Sequence, residues 1–220
     1  MKSSIFKFIF TTLTSLTLLS SASAKEEKKT AETAPVTQAP ATVPAETPVT
    51  SSAASSKISL EGSVSFLAIG KPSFLKIKGK GDSLKGKAEV AGSQVTGEFQ
   101  FPLKNLSTGI NMRDEHMKDK YLQVSQFPNA TLKITKLDLP VDFDVKNSEL
   151  KDQKFEGTMQ IHGKEKPIAG TANFNGKDST LTAKMNLKIS DYGVDIPSYM
   201  GITVSEDVEV EITSTNLTVK

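Results

Sequence analysis

Cysteine and tryptophan are both absent from the 220 residues of this chain. Without cysteine, the chain forms no disulfide, no cysteine-based zinc site and no thiolate nucleophile. Net charge is also small: 27 Lys and Arg against 25 Asp and Glu give +2, so no polybasic field predicts nucleic-acid or anionic-membrane binding. His116 and His162 are the only histidines. No ligand spacing links them to a zinc site, so neither a metal nor a cofactor is predicted.

The first 24 residues have the pattern of a secretory signal. Lys2 and Lys7 flank the start of an apolar, Thr/Leu-rich run over residues 8–19, and Ala22-Ser23-Ala24 offers small residues for cleavage. This predicts a signal peptide over residues 1–24, cleaved after Ala24, and export to the periplasm or the medium. A retained membrane-anchoring helix is the alternative, but the run is shorter than the ~20 residues that span a bilayer.

Residues 25–56 are rich in Pro, Ala and Thr and contain neither an aromatic residue nor apolar periodicity. Such a segment buries too little apolar surface to offset the entropy of ordering it, so a disordered linker is predicted. Proline would make it a semi-stiff spacer. It is interpreted either as a tether to a partner or as a tolerated leader.

Residues 57–220 form the predicted domain, in which apolar and polar residues alternate over eight or nine short runs. Alternation bounded by Gly, Asn, Asp or Ser is typical of antiparallel strands with one solvated face. Without intervening helices, this favours a β-sandwich or β-barrel.

Several small residues fall on the apolar faces of these runs: Gly86, Ala88, Gly97, Gly157, Gly170, Ala172 and Ala183. They either leave room for a ligand inside an eight-stranded barrel or mark bends in a curved sheet. Both interpretations stay open.

One segment changes period. Ile110, Met117, Tyr121 and Val124 are spaced as one face of a helix. Pro128 ends the segment, and Ser107 and Thr108 are the candidate cap residues. One inserted helix is predicted, packed over an end or flank of the barrel.

The same region carries a family resemblance. The runs LSTGINMRDEHM (106–117), YLQV (121–124) and FPNAT (127–131) resemble the central signature of YceI-like proteins. GTMQIHG (157–163), Lys166-Pro167, ISDYGV (189–194) and EDVEV (206–210) are similar to further elements of that family. Met117 stands where leucine is common in the family, and Tyr192 where phenylalanine is; both keep an apolar body.

The resemblance implies an all-β, extended lipocalin-like antiparallel barrel. Its interior would bind a polyisoprenoid or a similar long-chain amphiphile, often in the periplasm. The candidate cavity residues are Phe66, Phe99, Phe101, Leu132, Ile134, Phe155, Met159, Met185 and Leu187. Plain core packing is the alternative for them. Met112 and Met117, with Met159 and Met185, would let a pocket adapt to irregular chains.

The motif residues Thr108, Gly109, Arg113, Asp114 and His116 have a different expected role. They could contact a head group or form a catalytic set, but Arg113 and Asp114 are adjacent on a helix and point in different directions. A structural role is favoured, in which Arg113 or Asp114 ties the helix to strand ends through charge-assisted bonds. His162, next to Gly163, is predicted to be a turn residue.

Two functions follow. The first is an exported carrier or store of a long-chain lipid. The second is a periplasmic stress-response or interaction module without a ligand. An enzyme ranks third, because no convergent polar cluster is visible in the sequence. The oligomeric state stays open, a homodimer being one alternative.

Overall fold

The computed structural model describes residues 55–71, 73–199 and 201–220. The predicted signal peptide lies outside these ranges. So does the predicted linker, apart from Ser55 and Ser56, which begin the first strand two residues before the predicted start of the domain.

Strands dominate the described residues, as the period-two runs predict. They are β1 (Ser55–Lys71), β2 (Lys76–Ala91), β3 (Gln94–Pro102), β4 (Asn129–Leu137), β5 (Glu149–Ile161), β6 (Lys164–Asn175), β7 (Thr180–Lys188), β8 (Ser198–Tyr199) and β9 (Ile202–Val219). Two short 3₁₀ turns cover Leu103–Asn105 and Ile189–Tyr192.

Eight of these strands close into an antiparallel barrel. Their order is β1-β2-β3-β4-β5-β6-β7-β9, and pairing of β9 with β1 completes the ring; β8 adds a short pairing to β9. At Gly62, where the sequence predicts a break in alternation, the register of β1 shifts against both neighbouring strands. The all-β barrel predicted from the sequence is confirmed.

The two ends of the barrel differ. The β2–β3, β4–β5 and β6–β7 connections gather at one end, which a cluster built on Val90, Leu139 and Leu150 fills together with the rings of Phe143 and Phe174. This end is called the closed end. The β1–β2, β3–β4, β5–β6 and β7–β9 connections gather at the opposite end, called the open end.

Glycines on the inner face lie under phenylalanine rings. Phe66 is paired with Gly79, Phe99 with Gly86 and Phe155 with Gly170, and a Cβ atom on any of these glycines would overlap the opposite ring. The absence of a glycine side chain therefore admits an aromatic ring from the neighbouring strand, a pairing that stabilises curved sheets. Elsewhere the inner glycines allow close backbone approach, as Gly157 does to the carbonyl of Lys133.

The inserted helix is shorter and wider than predicted. α1 covers only Asn111–Glu115, and a π-type turn continues it over His116–Tyr121; together these form the helical segment (residues 111–121). The wider turn adds a residue per turn, so Tyr121 and Leu122 both pack against the core along with Met117. Ile110, predicted on the packed face, is 54% exposed.

Candidate ligand-binding cavity

A cavity of about 750 Å³ occupies the open half of the barrel. The inner faces of the strands form its walls with apolar side chains. These are Val64, Phe66, Ala68, Ile77, Leu84, Phe99, Phe101, Ala130, Leu132, Met159, Ile161, Leu187, Ile202, Val204, Val208, Val210 and Ile212. An enclosed, largely apolar space of this size falls within the usual range of small-molecule sites.

Two irregular segments complete the wall at the open end. The helical segment and the residue after it contribute Met117, Tyr121 and Leu122, and the chain around the second 3₁₀ turn contributes Tyr192 and Val194. Tyr192 is 3% exposed, and this burial, followed by the charge of Asp191, raises the pKa of its phenol. The phenol is therefore neutral at physiological pH.

The turn that carries Tyr192 is fastened to β9. Ser190 Oγ donates to Glu206 Oε2 at 2.8 Å, and Lys188 Nζ lies 3.2 Å from Glu206 Oε1. The hydrogen bond from Ser190 and the one from Lys188 lower the pKa of the Glu206 carboxyl. Both contacts keep the wall segment against the barrel.

The mouth of the cavity carries exposed apolar side chains. Ile110, Met112 and Ile202 line the cavity and are 54%, 69% and 38% exposed. Since wall residues reach solvent here, the cavity opens at this end of the barrel.

The structure separates the predicted cavity residues into two groups. Phe66, Phe99, Phe101, Leu132, Met159 and Leu187 line the cavity. Ile134, Phe155 and Met185 are buried in the core on the side of the closed end and do not line it.

The small inward residues lie away from the cavity as well: of the seven predicted positions, none lines it. Phe99 and Phe155 cover two of them, Gly86 and Gly170. The cavity therefore does not result from missing side-chain volume at these positions. It lies where strands diverge, because β6 pairs with β7 only from Gly170 onward.

Asp114 is the centre of the Arg-Asp-x-His motif. Its buried carboxylate accepts hydrogen bonds from Ser107 Oγ at 2.6 Å, from the Thr108 backbone N–H at 2.7 Å and from Thr108 Oγ1. Burial opposes ionisation of this carboxyl, but the bonds from Ser107 and Thr108 outweigh it, and the pKa lies below its usual value.

The same bonds tie the helical segment to the barrel. Ser107 pairs with Lys80 of β2 through two backbone hydrogen bonds of 2.8 Å, so Asp114 connects the helical segment to a strand through Ser107. Ser107 and Thr108, predicted as cap residues, do not cap α1, whose first residue follows Ile110 without a side-chain cap. Gly109 has a φ of +79°, which favours glycine in this turn.

Arg113 is held beside the cavity. Its Nε donates to Thr108 Oγ1 at 2.7 Å and its Nη2 to the Thr108 carbonyl oxygen at 2.9 Å. Thr108, Arg113 and His116 all line the cavity. The motif therefore combines a structural tie through Asp114 with three side chains at the cavity wall.

His162 occupies a turn, as predicted. It and Gly163 join β5 to β6 with φ values of +52° and +72°, the backbone of a tight hairpin. Its ring packs edge-on against Phe127, with centroids 4.6 Å apart. Over the described ranges, no group of three or more histidine, aspartate or glutamate side chains could hold a metal ion.

Sequence reasoning missed several wall residues, among them Lys120, Tyr121, Leu122, Ile202 and Val204. Alternation along β9 could have revealed Val204. A π-type turn cannot be recognised from helical spacing, so Leu122 could not be placed.

A second depression, of about 720 Å³, lies on the outside of the barrel between β1, β2 and β9. Lysines and glutamates, including Lys78, Lys80, Glu209 and Glu211, line it. Its mixed-charge, solvated wall makes it a weaker candidate than the interior cavity.

Comparison with known proteins follows from this geometry. The family model of the YceI-like domain matches residues 42–215. A UPF0312 protein of Pseudomonas fluorescens is 28% identical over 108 residues, which are 45% of this chain and 52% of the relative. The match thus spans about half the length of that relative. No helix among the described residues has the length and apolar content needed to cross a membrane.

Two solved structures share the fold. A polyisoprenoid-binding domain from Saccharophagus degradans, implicated in plant cell wall breakdown, superposes with a TM-score of 0.52 at 18% identity, covering 71% of this chain and 95% of its own. BcnA of Burkholderia cenocepacia gives a TM-score of 0.52 at 15% identity, covering 74% and 96%. With the barrel and the family match agreeing over most of the chain, this protein belongs to the YceI-like family.

Proposed function

We propose that this protein binds a polyisoprenoid or a similar long-chain amphiphile in the barrel and acts as a carrier or store for it, without catalysing a reaction. The observation that carries the proposal is the apolar cavity of about 750 Å³ that opens at one end of the barrel. Its walls offer hydrocarbon surface and few polar groups.

The energetics favour an apolar chain as the occupant. Burial of apolar surface contributes about 25 cal/mol per Å², so a long chain binds strongly with few polar contacts. Met112, Met117 and Met159 line the cavity, and their unbranched side chains adapt to irregular shapes. The related domain from Saccharophagus degradans, which binds polyisoprenoids, supports this class of ligand.

The place of action follows from the sequence. The proposed signal peptide over residues 1–24 would send the protein to the periplasm or the medium. A lipid that crosses an aqueous compartment needs its chain shielded from water, which an enclosed apolar cavity provides.

The first test is extraction of the purified full-length protein with organic solvent, combined with native mass spectrometry. A co-purifying amphiphile that leaves the protein on extraction is the expected result. After extraction, binding of farnesol is measured by titration.

A matched pair of substitutions places the ligand. Met159 lines the cavity, whereas Met185 is buried beyond it. Met159→Trp should fill existing space and weaken farnesol binding at least tenfold with little loss of stability. Met185→Trp should overpack the core, lowering stability by about 1–3 kcal/mol, while binding persists in the folded protein.

A protein that carries no amphiphile and binds no farnesol contradicts the proposal. That result favours the interaction module without a ligand, whose partner would then be sought among envelope proteins. Unchanged farnesol binding in a folded Met159→Trp variant would place the ligand outside the cavity.

A further inference from the structure

The charged side chains at the cavity wall are all cationic or can become so. Arg113, His116 and Lys120 line the cavity, and no aspartate or glutamate of the described residues does. The three stand on one helical segment, beside the exposed apolar side chains of Ile110 and Met112 at the mouth.

We propose that the ligand bound in this cavity carries an anionic oxyanion head group, a phosphate ester or a carboxylate, held by Arg113 and Lys120. The inference rests on the proposed function and adds the chemistry of the head group. The chain of such a ligand lies among the apolar walls, and its head lies at the mouth.

Arg113 is prepared for such a contact. A guanidinium has five N–H donors, and the bonds to Thr108 use Nε and one N–H of Nη2. These two bonds fix the plane of the guanidinium, and three donors stay available to a planar or tetrahedral oxyanion. Among the described residues Arg113 forms no ion pair.

The neighbouring carboxylate does not compete for this position. Asp114 directs both oxygens to donors on Ser107 and Thr108. It also orders Thr108, whose hydroxyl and carbonyl oxygens in turn hold Arg113. The adjacent acid therefore positions the cation through Thr108 and leaves the cavity wall free of negative charge.

Lys120 supplies a second cation. Its side chain is exposed, its Nζ lies 5.3 Å from the centre of the Tyr121 ring, and both residues line the cavity. Because Lys120 is solvated, its attraction for an anion is screened by salt. Binding of an anionic ligand should weaken as ionic strength rises, whereas binding of a neutral ligand should not.

Three probes with one chain test the inference: farnesol, farnesoic acid and farnesyl monophosphate. Full-length protein freed of co-purified lipid should bind both acids roughly tenfold more tightly than farnesol at low salt. A preference confined to the phosphate or to the carboxylate identifies which oxyanion the site takes.

Substitutions assign the effect to the two cations. Lys120→Gln should remove roughly threefold to tenfold of the affinity for the acids and leave farnesol binding unchanged. Arg113→Lys keeps the charge but loses the planar fork, and should also weaken the acids selectively. Lys133→Gln, on the solvated face of β4, is the matched control and should change nothing.

Equal affinity for the three probes, or loss of farnesol and acid binding in the same proportion, overturns the head-group inference and leaves the proposed function intact. Failure of every probe, farnesol included, overturns both. If Arg113→Lys disturbs the fold, the Lys120→Gln comparison and the salt dependence decide the question alone.

Discussion

At the scale of single residues, the motif that looks most like chemistry in the sequence has divided roles. Asp114 accepts hydrogen bonds from Ser107 and Thr108 and is buried, while Arg113 next to it reaches the cavity wall. Sequence neighbours on a helix point in different directions, which is why one serves the fold and the other is available to a ligand.

Replacing Asp114 with Asn should destabilise the protein by about 2 kcal/mol at pH 7, because hydrogen bonds to an ionised, buried carboxylate are lost. The pKa of this carboxyl in the folded state lies below the usual 3.8. Its contribution is therefore complete above the unfolded pKa and disappears as the pH falls through the folded value. Urea unfolding at pH 7 and pH 3 measures this: wild type and Asp114→Asn should differ at pH 7 and converge in acid.

Asp119→Asn is the control for that comparison, since its carboxylate is exposed on the same helical segment. A difference between wild type and Asp114→Asn that stays constant from pH 7 to pH 3 would contradict the assigned role of the carboxylate.

The glycine beneath Phe155 gives a second residue-scale prediction. Gly170→Ala would bring a methyl group into the Phe155 ring and the Lys184 carbonyl oxygen. Overpacking of this kind should lower the free energy of unfolding by about 1–3 kcal/mol. Thermal or urea denaturation checks it, with the exposed neighbour Ala169→Ser as the control expected to match wild type.

At the scale of elements, β6 has an unprotected edge. It pairs with β7 only over Gly170–Asn175, so residues 164–169 lack that partner. Pro167 lies in this stretch, opposite Thr158 of β5. Proline cannot donate a hydrogen bond and is confined to the edges of sheets, where it discourages pairing with another chain.

Pro167→Thr should increase concentration-dependent self-association while leaving the melting temperature nearly unchanged. Light scattering over a range of protein concentrations measures the first quantity and thermal denaturation the second. Ala169→Thr raises β-propensity at the same edge without adding an N–H group, and should stay as wild type. Equal association of the two variants would show that the missing donor is irrelevant.

The elements also show where reading of the sequence fails. Alternation predicts β1 and β3 well, but β2 reads as two runs because Gly79 and Gly81 interrupt it. The structure continues the strand, since rings of Phe66 and Phe101 cover these glycines. The helix prediction fails in length for a related reason: tertiary packing of Tyr121 and Leu122 selects a wider turn than helical spacing describes.

At the scale of the whole molecule, the barrel could be predicted because its signal is repeated in every strand. The cavity could be predicted only in part. Six of nine candidate wall residues line it, but the small inward residues proposed to create space lie elsewhere. A sequence shows which side chains face inward, not how far along the axis neighbouring strands separate, and that separation creates the space.

The closed end has a further consequence for kinetics. Val90, Leu139 and Leu150 block the barrel opposite the mouth, so a chain that occupies the cavity enters and leaves by one route. An arriving molecule cannot push out the resident from behind. Replacement then proceeds through an empty protein, and its rate is set by departure of the resident molecule, whatever the concentration of its successor.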